Sequence, residues 1–181
     1  MRKSIVAAIL PLVIVGLVIF FYAQKDEDNR NDTDTVMTTV GCEDVDTIKV
    51  KAKASDLEDN LDTYLVTAKD ILGKSSEGGL QTNYALQGRN QVIKQTFYSE
   101  TGKSEVEYYL DEGRVFYFTK KNSTYELPIS VDPRADVKHL ELNEFYLGSD
   151  QTLCLWYSDQ VQQENTQPAR DTVMFLLSDL Q

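Results

Sequence analysis

The chain has 181 residues with a formal net charge of −11, from 18 basic and 29 acidic side chains. All 29 acidic residues follow Lys25, so residues 25–181 hold 16 basic and 29 acidic side chains and carry a net charge of −13. Nucleic acids and anionic lipid surfaces bind clusters of Lys and Arg, and this chain has no such cluster. The composition therefore disfavours both as partners.

Residues 4–24 form a run of twenty-one residues without a charge, preceded by two basic residues and followed by a charged stretch. A helix of about twenty apolar residues crosses a hydrocarbon core of about 30 Å. Basic residues stay on the cytoplasmic side, which places residues 25–181 outside. The sequence predicts that residues 1–24 are a transmembrane signal-anchor. The protein would then be a single-pass protein of the inner (cytoplasmic) membrane with its C-terminal domain periplasmic or extracellular.

A cleaved signal peptide is the main alternative to an anchor. Secretory signals have an apolar core of about 7–15 residues, and the best cut, after Ala23, would place Phe21 where a small side chain is needed. A lipoprotein is disfavoured because Cys42 lies eighteen residues beyond the apolar run. A buried helix of a soluble domain is disfavoured because the segment is hydrophobic on every face.

Residues 25–38 contain almost no apolar side chain, which predicts an acidic flexible tether. Residues 39–181 then form an exported domain long enough to bury its own core. The two cysteines, Cys42 and Cys154, would lie in an oxidising compartment, where an even number favours a disulfide over two unpaired thiols. A redox enzyme usually has a close Cys-x-x-Cys pair, which is absent.

The first elements of this domain are predicted as a weak strand and a helix. Residues 47–54 alternate apolar and lysine side chains, the period of a strand or an extended lead-in. Ser55 then resembles a helix N-cap, and Glu58 completes a capping box. Apolar residues continue at helical spacing to Leu72, and Gly73 ends the run as a C-terminal cap would. These signals predict a helix from Ser55 to Leu72.

From Leu80 to Ser158 the apolar pattern changes to a period of two, which predicts strands. Turn residues separate these strands at 88–90, 100–102, 111–113, 121–123 and 148–150. Short turns require antiparallel neighbours. The predicted fold class is α+β: an antiparallel β-meander sheet of six or seven strands packed by an N-terminal helix.

Prolines mark the ends of the remaining segments. Pro128 and Pro133 bracket a less regular stretch around Ile129, which predicts an edge strand or a loop. Pro168 opens a short C-terminal helix that runs through Leu180. Its apolar side chains lie on one side: Val173, Leu176, Leu177 and Leu180.

The hairpin around Gly113 can be assigned a register. Gly113 suits the left-handed position of a three-residue loop with a G1 bulge. This register pairs Leu110 with Arg114, Tyr108 with Phe116, and Val106 with Phe118. The opposite face then holds Glu105, Glu107, Tyr109, Val115 and Tyr117. A two-residue loop would instead move Phe116 and Phe118 to that outer face.

The segments Glu107–Leu110 and Glu144–Leu147 are similar and suggest that one hairpin type is used twice. Outer-face aromatic residues from both hairpins would form a stripe: Tyr109, Tyr117, Tyr146 and Trp156. Tyrosine and tryptophan are favoured where proteins meet partners, so this stripe is the predicted binding surface. In the alternative interpretation the C-terminal helix covers this face and makes it a second core layer.

These turn-and-strand segments resemble a recurrent pattern, from the Glu77-Gly-Gly-Leu80 segment and the Thr96–Lys103 hairpin to residues 107–118 and 144–147. The pattern is similar to that of small membrane- or lipid-anchored β-meander envelope proteins of Gram-negative bacteria. The resemblance covers about residues 77–158 and implies a compartment and a fold, with no catalytic residues. This chain differs in having a long N-terminal anchor in place of a lipidated cysteine.

Catalytic motifs are weakly represented. Residues 68–75 fit a relaxed phosphate-loop pattern, but they run along the predicted helix instead of opening one. His139 is the only histidine and has no partners at metal-ligand spacing, so no metal site or cofactor is predicted. The 29 acidic residues leave a carboxylate-pair hydrolase open.

The predicted function is a non-catalytic binding or accessory domain of the cell envelope with an unknown ligand. Its predicted partners are the membrane, through residues 4–24, and a protein of the envelope. The alternatives are a hydrolase that acts on an envelope polymer through surface carboxylates and an inhibitor of such a hydrolase.

Overall fold

Two helices and an eight-stranded sheet make up the part of the chain that the computed structural model describes, namely residues 42, 45–128, 131–132 and 134–180. The predicted anchor, residues 1–24, and the predicted tether, residues 25–38, lie outside these residues. Within the described ranges, no helix is both long enough and apolar enough to cross a membrane.

The sheet is an antiparallel meander in which each strand pairs with the next along the chain. This confirms the predicted α+β meander and raises the number of strands to eight. The strands are β1 (Leu65–Ile71), β2 (Gly79–Leu86), β3 (Arg89–Ser99), β4 (Gly102–Asp111), β5 (Arg114–Tyr125), β6 (Val137–Leu147), β7 (Leu153–Ser158) and β8 (Val161–Gln162). The helices are α1 (Thr47–Asp59) and α2 (Gln167–Ser178), with a 3₁₀ turn at Leu61–Thr63.

The N-terminal helix begins earlier than predicted. The Asp46 side chain caps α1 by accepting hydrogen bonds from the backbone N–H groups of Ile48 and Lys49, at 3.1 and 3.2 Å. Residues 47–54, predicted as a strand, are therefore helical. The end of the predicted helix is also wrong, because all seven residues of β1 pair with β2 instead. Pairing with a neighbouring strand outweighs the helical spacing of that segment.

Two strand boundaries also differ from the prediction. The predicted turn at 121–123 lies inside β5, which runs to Tyr125 and pairs with β6 along this stretch. The predicted irregular stretch falls in the connection between β5 and β6, and Pro128 lies there. Ile129 and Pro133 are outside the described residues.

Three hairpins share one register, which the sequence indicated for only two of them. In each of the hairpins β2–β3, β4–β5 and β6–β7, a tyrosine precedes a one-residue bulge on the partner strand. The tyrosines are Tyr84, Tyr109 and Tyr146, and the residues skipped by the pairing are Gln91, Phe116 and Cys154. The meander therefore repeats one bulge position in three hairpins, although the β6–β7 loop is longer than the other two.

The β4–β5 hairpin corrects the predicted register. Its loop has two residues, Glu112 and Gly113, both with positive φ (49° and 81°), the geometry of a type I′ turn. Tyr108 pairs with Phe118, and Tyr109 pairs with Tyr117. The bulge then places Val115 and Phe116 on the faces opposite to those predicted. Tyr117 and Phe118 lie on the predicted faces, but Phe118 pairs with Tyr108 instead of Val106.

Each face of the sheet has its own core. Helix α2 covers one face, where Val173 and Leu176 pack with Tyr108, Phe118 and other side chains of the central strands. The predicted apolar side of this helix is confirmed, since Leu177 and Leu180 also pack there. The Tyr108 hydroxyl donates a hydrogen bond to the carbonyl of Leu176 at 3.2 Å. Helix α1 covers the other face through Val50, Ala54 and Leu57.

Cys42 and Cys154 form a disulfide, as predicted, with a Cα–Cα distance of 5.3 Å. Cys154 is the bulged residue of β7, and Cys42 precedes α1. The bond therefore joins the chain ahead of α1 to the sheet and closes a loop with a sequence separation of 112 residues.

Candidate functional site

The predicted aromatic stripe is divided between the two faces of the sheet. Tyr109, Tyr117 and Tyr146 lie side by side on the α1 face, with ring centroids 5.5 and 5.0 Å apart in that order. They are only 5 %, 5 % and 0 % exposed, because α1 packs over them. The prediction of an exposed stripe is thus corrected for these three rings. Trp156 lies on the α2 face.

The layer under α1 is held by charged groups. The Tyr117 hydroxyl donates to the Glu144 carboxylate at 2.7 Å, and Lys51 of α1 pairs with the same carboxylate at 2.8 Å. Lys94 pairs with Glu58 of α1 at 2.8 Å. Burial and the nearby carboxylate raise the pKa of Tyr117 well above its usual value. These contacts fasten α1 to the sheet, so this layer is a structural core.

A groove lies on the opposite face, beside α2. Its helical wall is the stripe Pro168, Thr172, Phe175 and Asp179, which recurs every three or four residues along one side of the helix. Two cavities of about 730 and 360 Å³ lie along this wall. Both are lined by Lys120 and Asn122 of β5, so the two cavities are neighbours and are together called the groove.

The floor of the groove is a network of polar side chains from β4, β5 and β6. Ser104 donates to the Asn122 side-chain oxygen at 2.8 Å, and the Asn122 amide donates to Glu141 at 3.1 Å. The Asn143 amide donates to the other oxygen of Glu141 at 2.9 Å. Hydrogen bonds from Asn143 and Asn122 lower the pKa of Glu141, with the Lys120 charge acting in the same direction. The network therefore holds an ionised carboxylate in a fixed position.

Aromatic rings border this polar floor. Phe97 and Phe175 line the larger cavity, and Phe175 is 64 % exposed. Trp156 lines the smaller one, where its ring lies parallel to that of Phe145 at 5.7 Å between centroids. The Trp156 indole N–H donates to the Glu164 carbonyl at 2.9 Å, which fixes the ring. Trp156 is thus the only residue of the predicted stripe that lines this groove.

The groove closes at one end with an ion pair. Lys74, from the connection between β1 and β2, pairs with Asp179 just after α2. Lys103, at the start of β4, lines the same cavity and pairs with Glu105 at 2.9 Å. Within the described residues, Lys120 has no carboxylate within 4 Å. The groove thus combines a lysine that has no ion-pair partner among the described residues with a floor of hydrogen-bonded polar side chains.

The described residues form neither a metal site nor a phosphate-binding loop. In the described residues, no three His, Cys, Asp or Glu side chains are close enough to hold a metal ion. The phosphate-loop match spans the end of β1 and the turn to β2, so it is not on a helix as predicted. Such a loop must join a strand to a helix, and this one joins two antiparallel strands. His139 lies exposed in β6, paired with Thr124.

Sequence reasoning missed the floor of the groove. On each strand the floor residue is followed, two positions later on the same face, by an apolar residue: Asn143 by Phe145, and Ser104 by Val106. Polar side chains at such core-facing positions are the signal that could have indicated this site. Finding the site also required the position of α2, one side of which forms the wall of the groove beside these residues.

Comparisons of the chain with protein-family models, with curated proteins and with solved structures each find no match. The function is therefore argued from the geometry of the described residues.

Proposed function

We propose that this protein is a membrane-anchored, exported, non-catalytic binding or accessory domain of the cell envelope, and that it binds its ligand in the groove beside α2. In this proposal residues 4–24 anchor the chain, residues 25–38 are the tether, and the domain from residue 39 onward faces the periplasm or exterior. The observation that carries the binding proposal is the polar floor beside α2, where Asn143 is buried and Ser104, Asn122 and Glu141 are half-buried.

The position of that floor is what makes it informative. The same strand faces carry Tyr108, Phe118 and Phe145 one or two positions further along, packed under α2. A sheet face that continues a core normally carries apolar side chains. Here the strands carry amide, hydroxyl and carboxylate groups, arranged as one connected network. Cavities of about 300–1,000 Å³ with a few fixed polar groups are typical of ligand sites.

The charges of the groove support binding over hydrolysis. A carboxylate-pair hydrolase needs one carboxyl group that stays protonated near neutral pH as a general acid. Glu141 is the carboxyl group on the floor, and its lowered pKa keeps it ionised. Asp179, the other carboxyl group lining the cavities, is ion-paired with Lys74. The ionised Glu141 lacks the proton that a general acid must donate.

The disulfide supports an exported location, because such bonds persist mainly in oxidising compartments. A protease-protection experiment on intact spheroplasts tests this part of the proposal. Added protease should digest the domain while a cytoplasmic marker survives. A domain that is cut only after lysis would contradict the proposed topology.

The binding proposal is tested by retention of envelope material on the immobilised full-length protein. A Lys120→Ala/Phe175→Ala variant removes the cation and the exposed ring of the groove. Met174→Ala is the matched control, because Met174 is 68 % exposed on the same helix but does not line either cavity. All three proteins must show the same cooperative thermal transition.

The proposal expects material that the parent and Met174→Ala retain and the groove variant loses. Equal retention by all three proteins would show that the groove is not the site. If a retained polymer is shortened on incubation with the parent protein, the hydrolase alternative replaces the binding proposal. If the retained material is a hydrolase that loses activity when bound, the protein is an inhibitor.

A further inference from the structure

The larger cavity of the groove, of about 730 Å³, carries more positive than negative charge in its lining, although the chain as a whole is acidic. It is lined by Lys74, Lys103 and Lys120 but by only one carboxylate, that of Asp179. Lys74 is ion-paired with Asp179, and Lys103 is ion-paired with Glu105. Lys120 is half-buried and forms an ion pair with none of the described carboxylates. One unpaired cation therefore remains at this cavity.

The carboxylate of Glu141, on the neighbouring strand, does not take up this cation. Glu141 lines the smaller cavity but not the larger one. Its two oxygens accept hydrogen bonds from the amides of Asn122 and Asn143, and the Lys120 charge acts on it without forming an ion pair. The Lys120 ammonium can therefore bind a ligand anion without the loss of an ion pair, which would add a desolvation cost.

The pairing of the strands makes the floor of the larger cavity apolar on one side and polar on the other. Val106 of β4 lies opposite Lys120 of β5. In the next row, Phe97 of β3 lies opposite Ser104, which lies opposite Asn122 of β5. In both rows an apolar side chain lies towards β3 and a polar or charged one lies on β5. A ligand that matches this floor has an apolar part and a polar end.

Helix α2 supplies further apolar surface to the same cavity. Phe175 and Leu176 both line it, and the Phe175 ring is largely exposed to solvent. An exposed aromatic ring contributes little to the core of the domain, but it gains from burial against the hydrocarbon part of a ligand. The cavity thus has an apolar wall as well as an apolar side to its floor.

From the unpaired cation, the two-sided floor and the exposed ring, we infer that the larger cavity binds a small organic carboxylate with an apolar body. Its carboxylate lies at Lys120 and its body lies between Phe97 and Phe175. The inference rests on the proposed function and names the ligand class of that site. A volume of about 730 Å³ is typical of small-molecule sites. A nucleic acid or another polyanion fits poorly, because it needs several unpaired cations.

Calorimetric titration of the full-length protein in a non-ionic detergent tests this inference. The probe is phenylbutanoate, and phenylbutanamide and phenylbutylamine are comparators with the same body and a neutral or cationic end. Each is also titrated into detergent alone, and that heat is subtracted. Lys120→Met removes the cation and keeps an unbranched side chain. Lys121→Met is the matched control, because it makes the same change of charge at an exposed neighbour that lines neither cavity.

We expect saturable binding of phenylbutanoate about 3- to 10-fold tighter than that of phenylbutanamide, the value of a partly solvated contact between charges. Lys120→Met should remove this preference, whereas Lys120→Arg and Lys121→Met should keep it. Phe175→Ala should weaken the acid and the amide alike, by about 3- to 10-fold for one aromatic contact. All variants must show the cooperative thermal transition of the parent.

Three results would overturn the inference: no binding of phenylbutanoate, equal or tighter binding of the amide or the amine, or a preference for the acid that survives in Lys120→Met. The proposed function is judged separately, by the retention of envelope material. If the groove variant loses material that the parent retains while phenylbutanoate does not bind, the groove is a site for a ligand of another class. If neither is observed, the proposed function fails together with the inference.

Discussion

Two buried tyrosines on the α1 face differ in one respect that can be measured. Tyr117 and Tyr146 are neighbours in the same layer, 5 % and 0 % exposed. The Tyr117 hydroxyl donates to the Glu144 carboxylate at 2.7 Å, whereas the buried Tyr146 hydroxyl, with the Lys51 ammonium nearby, meets hydrogen-bond geometry with none of the described residues. Replacing each by phenylalanine removes one oxygen and keeps the ring. The two substitutions should therefore have different effects on the free energy of unfolding.

A hydrogen bond to a charged group contributes about 1.5–3 kcal/mol. Because Glu144 keeps its ion pair with Lys51 at 2.8 Å, we expect Tyr117→Phe to cost about 1.5 kcal/mol, near the lower end of the range. For a domain of this size that lowers the melting temperature by about 4–6 °C. Tyr146→Phe removes a buried polar group without a partner, so it should be neutral or stabilise the protein by up to about 1 kcal/mol.

Urea denaturation followed by circular dichroism measures both values, and a thermal melt checks their order. The same m-value in all proteins is required for the comparison. If Tyr146→Phe destabilises the protein as much as Tyr117→Phe does, the Tyr146 hydroxyl has a partner and the contact assignment under α1 is refuted. If Tyr117→Phe is neutral, the hydrogen bond to Glu144 adds nothing to stability.

Three further predictions concern the disulfide, the pH and the sheet. Replacing Cys42 and Cys154 by serine should lower the free energy of unfolding by up to about 4–5 kcal/mol, because the bond closes a long loop. Urea denaturation that shows no such loss would contradict the chain-entropy argument. Burial raises the pKa of Tyr109 and Tyr117 above 10, so the folded state keeps protons that the unfolded chain releases. Stability is then complete below pH 10 and falls above it, and tyrosinate absorbance at these residues should appear only with unfolding. In Gly102→Ala the new Cβ would lie 2.5 Å from a backbone oxygen of β5, and relieving this contact should lower the free energy of unfolding by about 1–3 kcal/mol. An unchanged urea midpoint would show that the two strands can move apart at little cost.

The meander was predictable because its signals are local. A period of two, glycine-containing turns and a proline at the start of α2 all act within a few residues. The disulfide followed from the number of cysteines and the expected compartment. The apolar side of α2 was equally readable from Val173, Leu176, Leu177 and Leu180.

The N-terminal helix was misplaced because two patterns overlap in its sequence. Residues 47–54 alternate apolar and lysine side chains, but Val50, Ala54, Leu57 and Leu61 also recur at helical spacing. Asp46 was the N-cap, and the capping box at Ser55 lies inside the helix. Long-range pairing with β2 then decides the structure of residues 65–71.

The register and the site depended on contacts that the sequence does not encode locally. A bulge shifts the faces of Val115 and Phe116, and only the observed pairing reveals it. The aromatic stripe was predicted as a surface because its tyrosines alternate with charged residues. Those charges, such as Glu144, turned out to bind lysines of the helix that covers the rings. The polar groove could not be located without knowing how α2 lies on the sheet.

The position of the disulfide determines how the domain would bear a mechanical load. A pull on the chain ahead of Cys42 passes through the sulfur atoms into β7 before it reaches α1. The residues between Cys42 and Cys154 lie within the covalent loop, outside the path of the tension. Reduction would reroute the same force through α1, whose ion pairs with the sheet would then be the first contacts to be stretched. The bond thus makes the sheet, and not the helix, the element that would first receive such a load.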